Sequence, residues 1–151
     1  PEVWRAGNGD VLKWERRLEA APFGARDGHA LVRAPCGALL LGGATGGCLW
    51  GHDVWASADG GATWTLATET PGWCGRTHLE AVALDDRVYV LGGFGEFGYC
   101  SDVWASADGA AWERRAAAAA WSPRAMHAAC AFRGAIYVVG GYEGAGPRRF
   151  L

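Results

Sequence analysis

Three stretches of this chain repeat one pattern. A Trp is followed twelve residues later by an Arg, and sixteen residues after that Arg by Gly-Gly. The three copies are Trp14, Arg26, Gly42-Gly43; Trp64, Arg76, Gly92-Gly93; and Trp112, Arg124, Gly140-Gly141. Self-similarity at a period of about 50 residues is the mark of a repeat architecture, in which each unit buries its apolar face against its neighbours.

Each copy reads as four strands. Residues 29–43, 78–93 and 127–141 are hairpins: an apolar run, a short turn such as Asp85-Asp86, and a second apolar run stopped by the di-glycine. Asp53-Val54-Trp55 and Asp102-Val103-Trp104 open a third strand, and Glu2-Val3-Trp4 is a worn version of it. A turn rich in Asp and Gly follows, and the fourth strand carries Trp14, Trp64 or Trp112. Ala116 to Ala120 is too short an alanine run to nucleate a helix. Spacing varies only at loops, with ten residues from Gly43 to Asp53 and nine from Gly93 to Asp102.

The sum is twelve strands, and the fold expected is all-β: a β-propeller segment of about three four-stranded blades. The whole chain, residues 1–151, reads as one repeat domain, with units at about 1–43, 53–93 and 102–141. Three blades leave two apolar flanks uncovered. The expected partners there are the remaining blades of a longer chain, or a second copy that completes a six-bladed ring. Nine Trp and twenty-four Gly suit short strands and tight turns.

The net charge of −2 gives no electrostatic footprint for nucleic acid, and no apolar run suggests a membrane span. The five cysteines, Cys36, Cys48, Cys74, Cys100 and Cys130, contain no CxxC pair, so no metal site is expected. A Cys48–Cys74 disulfide is one option for them, and free buried thiols another. Arg148-Arg149 reads as a polar tail.

Several of these residues resemble the kelch repeat. They are Arg26-x-x-His29 and Arg124-x-x-His127, the three di-glycines, Tyr89 and Tyr137 three residues before a di-glycine, and the Trp of the fourth strand. The second copy departs, with Leu79 at the His position and His78 one residue early. Ser57-x-Asp59-x-Gly61-x-Thr63-Trp64 also resembles the Asp-box, which in other propellers locks a hairpin. The resemblance implies a non-catalytic interaction platform for a protein or glycan, with no cofactor. The alternative it offers is a propeller enzyme acting on sialic acid or another sugar, such as a sialate mutarotase.

The loops joining strands two to three, and blade to blade, share one face. That face is expected to bind ligand through Trp50, His52, Trp73, Arg76, Glu96, Phe97, Trp121 and Arg124. Aromatic rings stack on flat or apolar groups, and Arg forks grip carboxylates. The structural alternative is that each aromatic-x-x-Arg wedges between blades and bonds backbone carbonyls. No catalytic set is assigned, although His78 and Glu80 would share a strand face under period-two alternation.

Overall fold

The computed structural model describes residues 1–7, 10–46 and 49–143. Every regular element in them is a β-strand. Cys48 and the Arg148-Arg149 tail lie outside the described residues.

The chain opens with an antiparallel pair, β1 (Val3–Gly7) and β2 (Asp10–Leu18). After it come β3 (Arg26–Asp27), β4 (Ala30–Ala34), β5 (Gly37–Leu41), β6 (Ala44–Thr45), β7 (Leu49–Trp50), β8 (Val54–Ser57) and β9 (Thr65–Thr68). The next unit has the same order: β10 (Arg76–Thr77), β11 (Glu80–Leu84), β12 (Arg87–Leu91), β13 (Phe94–Gly95), β14 (Gly98–Tyr99), β15 (Val103–Ser106) and β16 (Glu113–Ala116). A last part repeats its beginning with β17 (Arg124–Ala125), β18 (Ala128–Phe132), β19 (Ala135–Val139) and β20 (Tyr142–Glu143).

Strands β4-β5-β8-β9 form one four-stranded antiparallel blade and β11-β12-β15-β16 a second. The pair β1-β2 supplies outer strands on one side, and β18-β19 supplies inner strands on the other. The twelve blade strands are therefore two complete blades between two half-blades. Strand β11 lies against β4 on one side and β18 on the other, so the inner strands stand side by side around a common axis. Short ladders, β3-β6-β7, β10-β13-β14 and β17-β20, sit above the blades on one face.

The core lies between blades. Leu39, Leu41 and Val54 of the first complete blade meet Leu79, Val88 and Val90 of the second. A smaller cluster of Phe23, Leu40 and Trp64 joins the first complete blade to the pair β1-β2. Each such side chain removed from water contributes roughly 1.5–3 kcal/mol. Trp14 lies within β2, as expected, whereas Trp64 and Trp112 stand one residue ahead of β9 and β16. They end the hairpin turn and drop onto the crossing aromatics: Phe23 meets Trp64 edge-on at 5.3 Å, and Trp73 meets Trp112 at 6.1 Å.

The turn before β9 is fastened by its own side chains. Ser57 Oγ donates to Asp59 Oδ1 at 3.0 Å and accepts the Gly61 N–H at 2.9 Å. Asp59 Oδ1 also accepts the N–H groups of Ala62 and Thr63, and Thr63 Oγ1 donates to Asp59 Oδ2 at 2.6 Å. Ser106 and Asp108 repeat the lock in the shorter turn of the next blade. The Thr63 hydroxyl, followed by the Thr63 N–H, holds the Asp59 carboxyl down at about 2, against an ordinary 3.8.

A depressed carboxylate contributes stability that is full above its unfolded value and lost as pH falls through the folded one. Thermal melts of the wild type should therefore lose midpoint between pH 3.8 and about 2. Asp59→Asn should start lower and fall less over that window. Parallel pH profiles for the two proteins would remove Asp59 from the account.

The hairpin turn at Asp85-Asp86 is as expected, with both residues left-handed at φ 48° and 58°, the conformation of a tight two-residue β-turn. His78 is a correction. Its φ of +53° breaks the strand between β10 and β11, so alternation does not carry from His78 to Glu80. The first copy shows the reason: the corresponding residue is Gly28, also left-handed, at φ 61°.

Candidate functional site

The repeat Arg residues build the blade crossings. Arg76 is 1% exposed. Its Nη1 and Nη2 fork onto Asp102 Oδ1 and Oδ2 at 2.6 and 3.0 Å. Nη1 also donates to the Gly92 carbonyl at 3.0 Å, and Nε to the Cys74 carbonyl at 3.2 Å. Arg26 makes the same clasp on Asp53 Oδ1 and Oδ2, at 2.8 and 3.0 Å, and on the Gly42 and Phe23 carbonyls. Arg124 bonds the Gly140 carbonyl at 2.6 Å and Ser122, and takes Glu143 as its acid. Burial alone would raise Asp102; the Arg76 fork outweighs it and holds the carboxyl below its ordinary value. The carboxylate also accepts Trp104 Nε1 at 2.8 Å.

The aromatic three residues before each Arg is part of the same construction. Trp73 is 4% exposed and lies under the Arg76 guanidinium at 5.7 Å. Trp121 is half-buried and lies tilted against His127, with ring centroids 6.2 Å apart. The sequence reading put Trp73, Arg76, Trp121 and Arg124 on a ligand surface. The structure spends Trp73 and Arg76 on packing and on the clasp, Trp121 on His127, and the guanidinium of Arg124 on the crossing.

What the ladder face presents is an aromatic basin. Trp50, Thr77, His78, Phe94, Tyr99 and Tyr142 line a cavity of about 440 Å³, closed on the last crossing by Ala125 and Met126. Its rings form a continuous row across three ladders: Trp50 to Phe94 at 6.0 Å, Phe94 to Tyr99 at 4.9 Å, and Tyr99 to Tyr142 at 6.0 Å. Tyr142 and Met126 are 66% and 65% exposed. Beside the tyrosine hydroxyls and the Trp50 indole N–H, the polar groups among the lining side chains are those of Thr77 and His78, which face one another with Oγ1 and Nδ1 3.2 Å apart.

Of the expected loop residues, Trp50 is in this basin. Phe97 is 84% exposed at the tip between β13 and β14, with Glu96 exposed beside it. His52 is exposed two residues ahead of the third strand. Neither His52 nor Glu96 lines the cavity. Glu80 is half-buried at the start of an inner strand, and burial raises its carboxyl. Among the described residues, no three His, Cys, Asp or Glu side chains converge.

Phe94, Tyr99, Met126 and Tyr142 were not among the candidates. Their signal was positional. Ala44, Phe94 and Tyr142 each follow a di-glycine, and Gly28, His78 and Met126 each stand two residues after the Arg. Both positions change from copy to copy while the di-glycine and the Arg that precede them hold, and both face the cavity in the later units.

The family model described as the kelch motif matches residues 123–151. No curated protein matches the chain. The matched stretch holds Arg124, His127 and Gly140-Gly141, and the two units before it repeat its strand order and its Arg clasp. The last unit thus carries a kelch motif, and the chain is an all-β segment with the blade architecture of a kelch-type propeller.

Proposed function

We propose that this segment is a non-catalytic binding platform whose ladder-face basin takes an apolar, aromatic-bearing segment of a protein partner. A kelch motif points to an interaction repeat domain in general terms, and the observation that supports the finer reading is the row of four rings lining the cavity. An apolar wall with few polar groups gains most from desolvating apolar side chains. A glycan needs a ring of donors and acceptors for its hydroxyls, and Thr77, His78, two phenols and the Trp50 indole N–H are a sparse set for that purpose. Phe97, exposed on an adjacent hairpin tip, offers a second apolar contact outside the basin.

The sugar-enzyme alternative has less support. A sialic acid carboxylate calls for an unoccupied Arg fork, and the forks of Arg26, Arg76 and Arg124 are engaged. Of the residues that could serve as acid or base, His52, Glu96, His78 and Glu80, only His78 lines the cavity, and no carboxylate lines it with His78.

The test is selection of a displayed random-peptide library on the purified chain. Enriched peptides should carry aromatic and long aliphatic residues. Tyr142→Ala and Met126→Asp should each weaken an enriched peptide about tenfold or more, ~1.4 kcal/mol. Both sites are exposed, and Asp tolerates the left-handed backbone at position 126, so the circular dichroism spectrum should not change. Absence of enrichment, or equal affinity in both variants, would refute the reading.

A further inference from the structure

Cys74 and Cys100 break the repeat together. Each stands two residues before one member of the Arg76–Asp102 ion pair. Ahead of Arg26 and Asp53 the same two positions are Gly24 and Gly51, with no side chain at either. The clasp holds the two on one crossing: Arg76 Nη2 reaches Cys74 Sγ at 3.3 Å and Asp102 Oδ2 at 3.0 Å, and the Cys100 thiol, two residues before Asp102, lies 3.8 Å from the Gly98 carbonyl and interacts with the Cys74 thiol.

The backbone around both sulfurs is fixed. The Cys74 carbonyl accepts Arg76 Nε. The Cys100 N–H donates to the Gly93 carbonyl at 2.9 Å, and the Cys100 carbonyl accepts the Arg124 N–H at 3.0 Å. Arg76 Nη2 also donates to Cys74 Sγ at 3.3 Å, where Arg124 Nη2 takes the Ser122 hydroxyl at 2.7 Å. A sulfur in an acceptor's place beside a guanidinium is favoured as thiolate. The hydrogen bond from Cys100, then the Arg76 charge, bring the Cys74 thiol down to about 6, against the opposing effects of burial and Asp102. The same bond and burial push Cys100 up, so Cys100 keeps its proton. Both residues are half-buried, and Cys36 and Cys130 are exposed.

We propose that Cys74 and Cys100 form a redox-active dithiol, with Cys74 the attacking sulfur and Cys100 the resolving one, that closes to a disulfide on reaction with hydrogen peroxide. The Cys74 thiolate attacks one peroxide oxygen, the O–O bond breaks, and hydroxide leaves to give a sulfenic acid. The Cys100 sulfur then attacks Cys74 Sγ, the S–O bond breaks, and the oxygen departs as water. Two thiols lose two protons and two electrons, and one peroxide becomes two waters. The bridge joins the crossing ahead of β10 to the entry of β15 and braces the Arg76–Asp102 clasp between them.

Peroxide treatment of the purified chain, followed by alkylation and peptide mapping by mass spectrometry, tests this. A Cys74–Cys100 peptide lighter by two hydrogens should appear and should revert with dithiothreitol. The oxidised form should melt roughly 5–10 °C higher, because the bridge closes a loop in the unfolded chain. Cys100→Ser should leave a sulfenic acid on Cys74 that dimedone traps. Iodoacetamide should label Cys74 with a pH midpoint near 6, well below an ordinary thiol at about 8.5. Full alkylation of both cysteines after oxidation would overturn the proposal, as would bridging of Cys74 to Cys48 or bridges only between molecules through Cys36 or Cys130.

Discussion

Replacing Arg76 by Ala is expected to cost about 3–5 kcal/mol, the usual loss when one partner of a buried ion pair is removed. The side chain is 1% exposed and Asp102 is mostly covered, so water cannot take over the lost contacts. Asp102 would keep only Trp104 as a side-chain donor, and the Gly92 and Cys74 carbonyls would each lose one. A domain of this size holds only about 5–15 kcal/mol in total, so a large part of it depends on this one guanidinium. Arg76→Lys should recover part of the loss, since an ammonium restores the charge without the fork. The measurement is the urea midpoint at unchanged slope. Asp102→Ala combined with Arg76→Ala should cost much less than the two single losses added. Strict additivity, or a single-variant loss under about 1 kcal/mol, would mean that the clasp is ornamental.

Gly92→Ala is the second large effect. A Cβ there would stand 2.7 Å from the Arg124 carbonyl and 3.0 Å from His127 Cε1, both in the next unit. The carbonyl cannot yield, because it already accepts the Gly93 N–H at 2.9 Å. The residue is also left-handed, at φ +55°. A left-handed non-glycine costs about 1–2 kcal/mol, and forcing an atom into filled space about 1–3 more. Gly24→Ala isolates the first part, since Gly24 is left-handed at φ +69° with open space around its missing Cβ. Its urea midpoint should fall by the smaller amount alone. Equal losses in the two variants would show that the blades can separate to admit a methyl group.

These two residues also show what could be read from the chain. The di-glycines and the Arg recur at fixed distance, so their structural weight was visible as spacing. Hairpins 29–43, 78–93 and 127–141 were visible for the same reason, each an apolar run with a local turn. The clasp was not, because Arg26 and Asp53 are 27 residues apart and Arg76 and Asp102 only 26. A one-residue change in the intervening loop hides the pairing from any fixed-interval reading. His78 was misplaced because alternation presumes unbroken strand, and a single left-handed residue resets it. The aromatic basin was half legible: Trp50 was chosen for its exposed loop, whereas Phe94, Tyr99 and Tyr142 gain meaning only when three ladders are set side by side.

The bonds between neighbouring units carry one further consequence. The His78 N–H donates to the Gly28 carbonyl at 2.7 Å, and the Met126 N–H to the His78 carbonyl at 3.1 Å. The Gly43 N–H donates forward to the Arg76 carbonyl, as Gly93 does to Arg124. Donors and acceptors at the two seams match position for position, and every one of these groups is backbone. Each unit thus offers on its leading side the socket that its trailing side fills. A copy arising by duplication within the gene would inherit both halves of the joint and could dock on its parent with no new side chain. The residues after each di-glycine, where the basin lies, differ between units while the seam bonds stay the same. The joint thus repeats as a unit, while the surface beside it differs from one unit to the next.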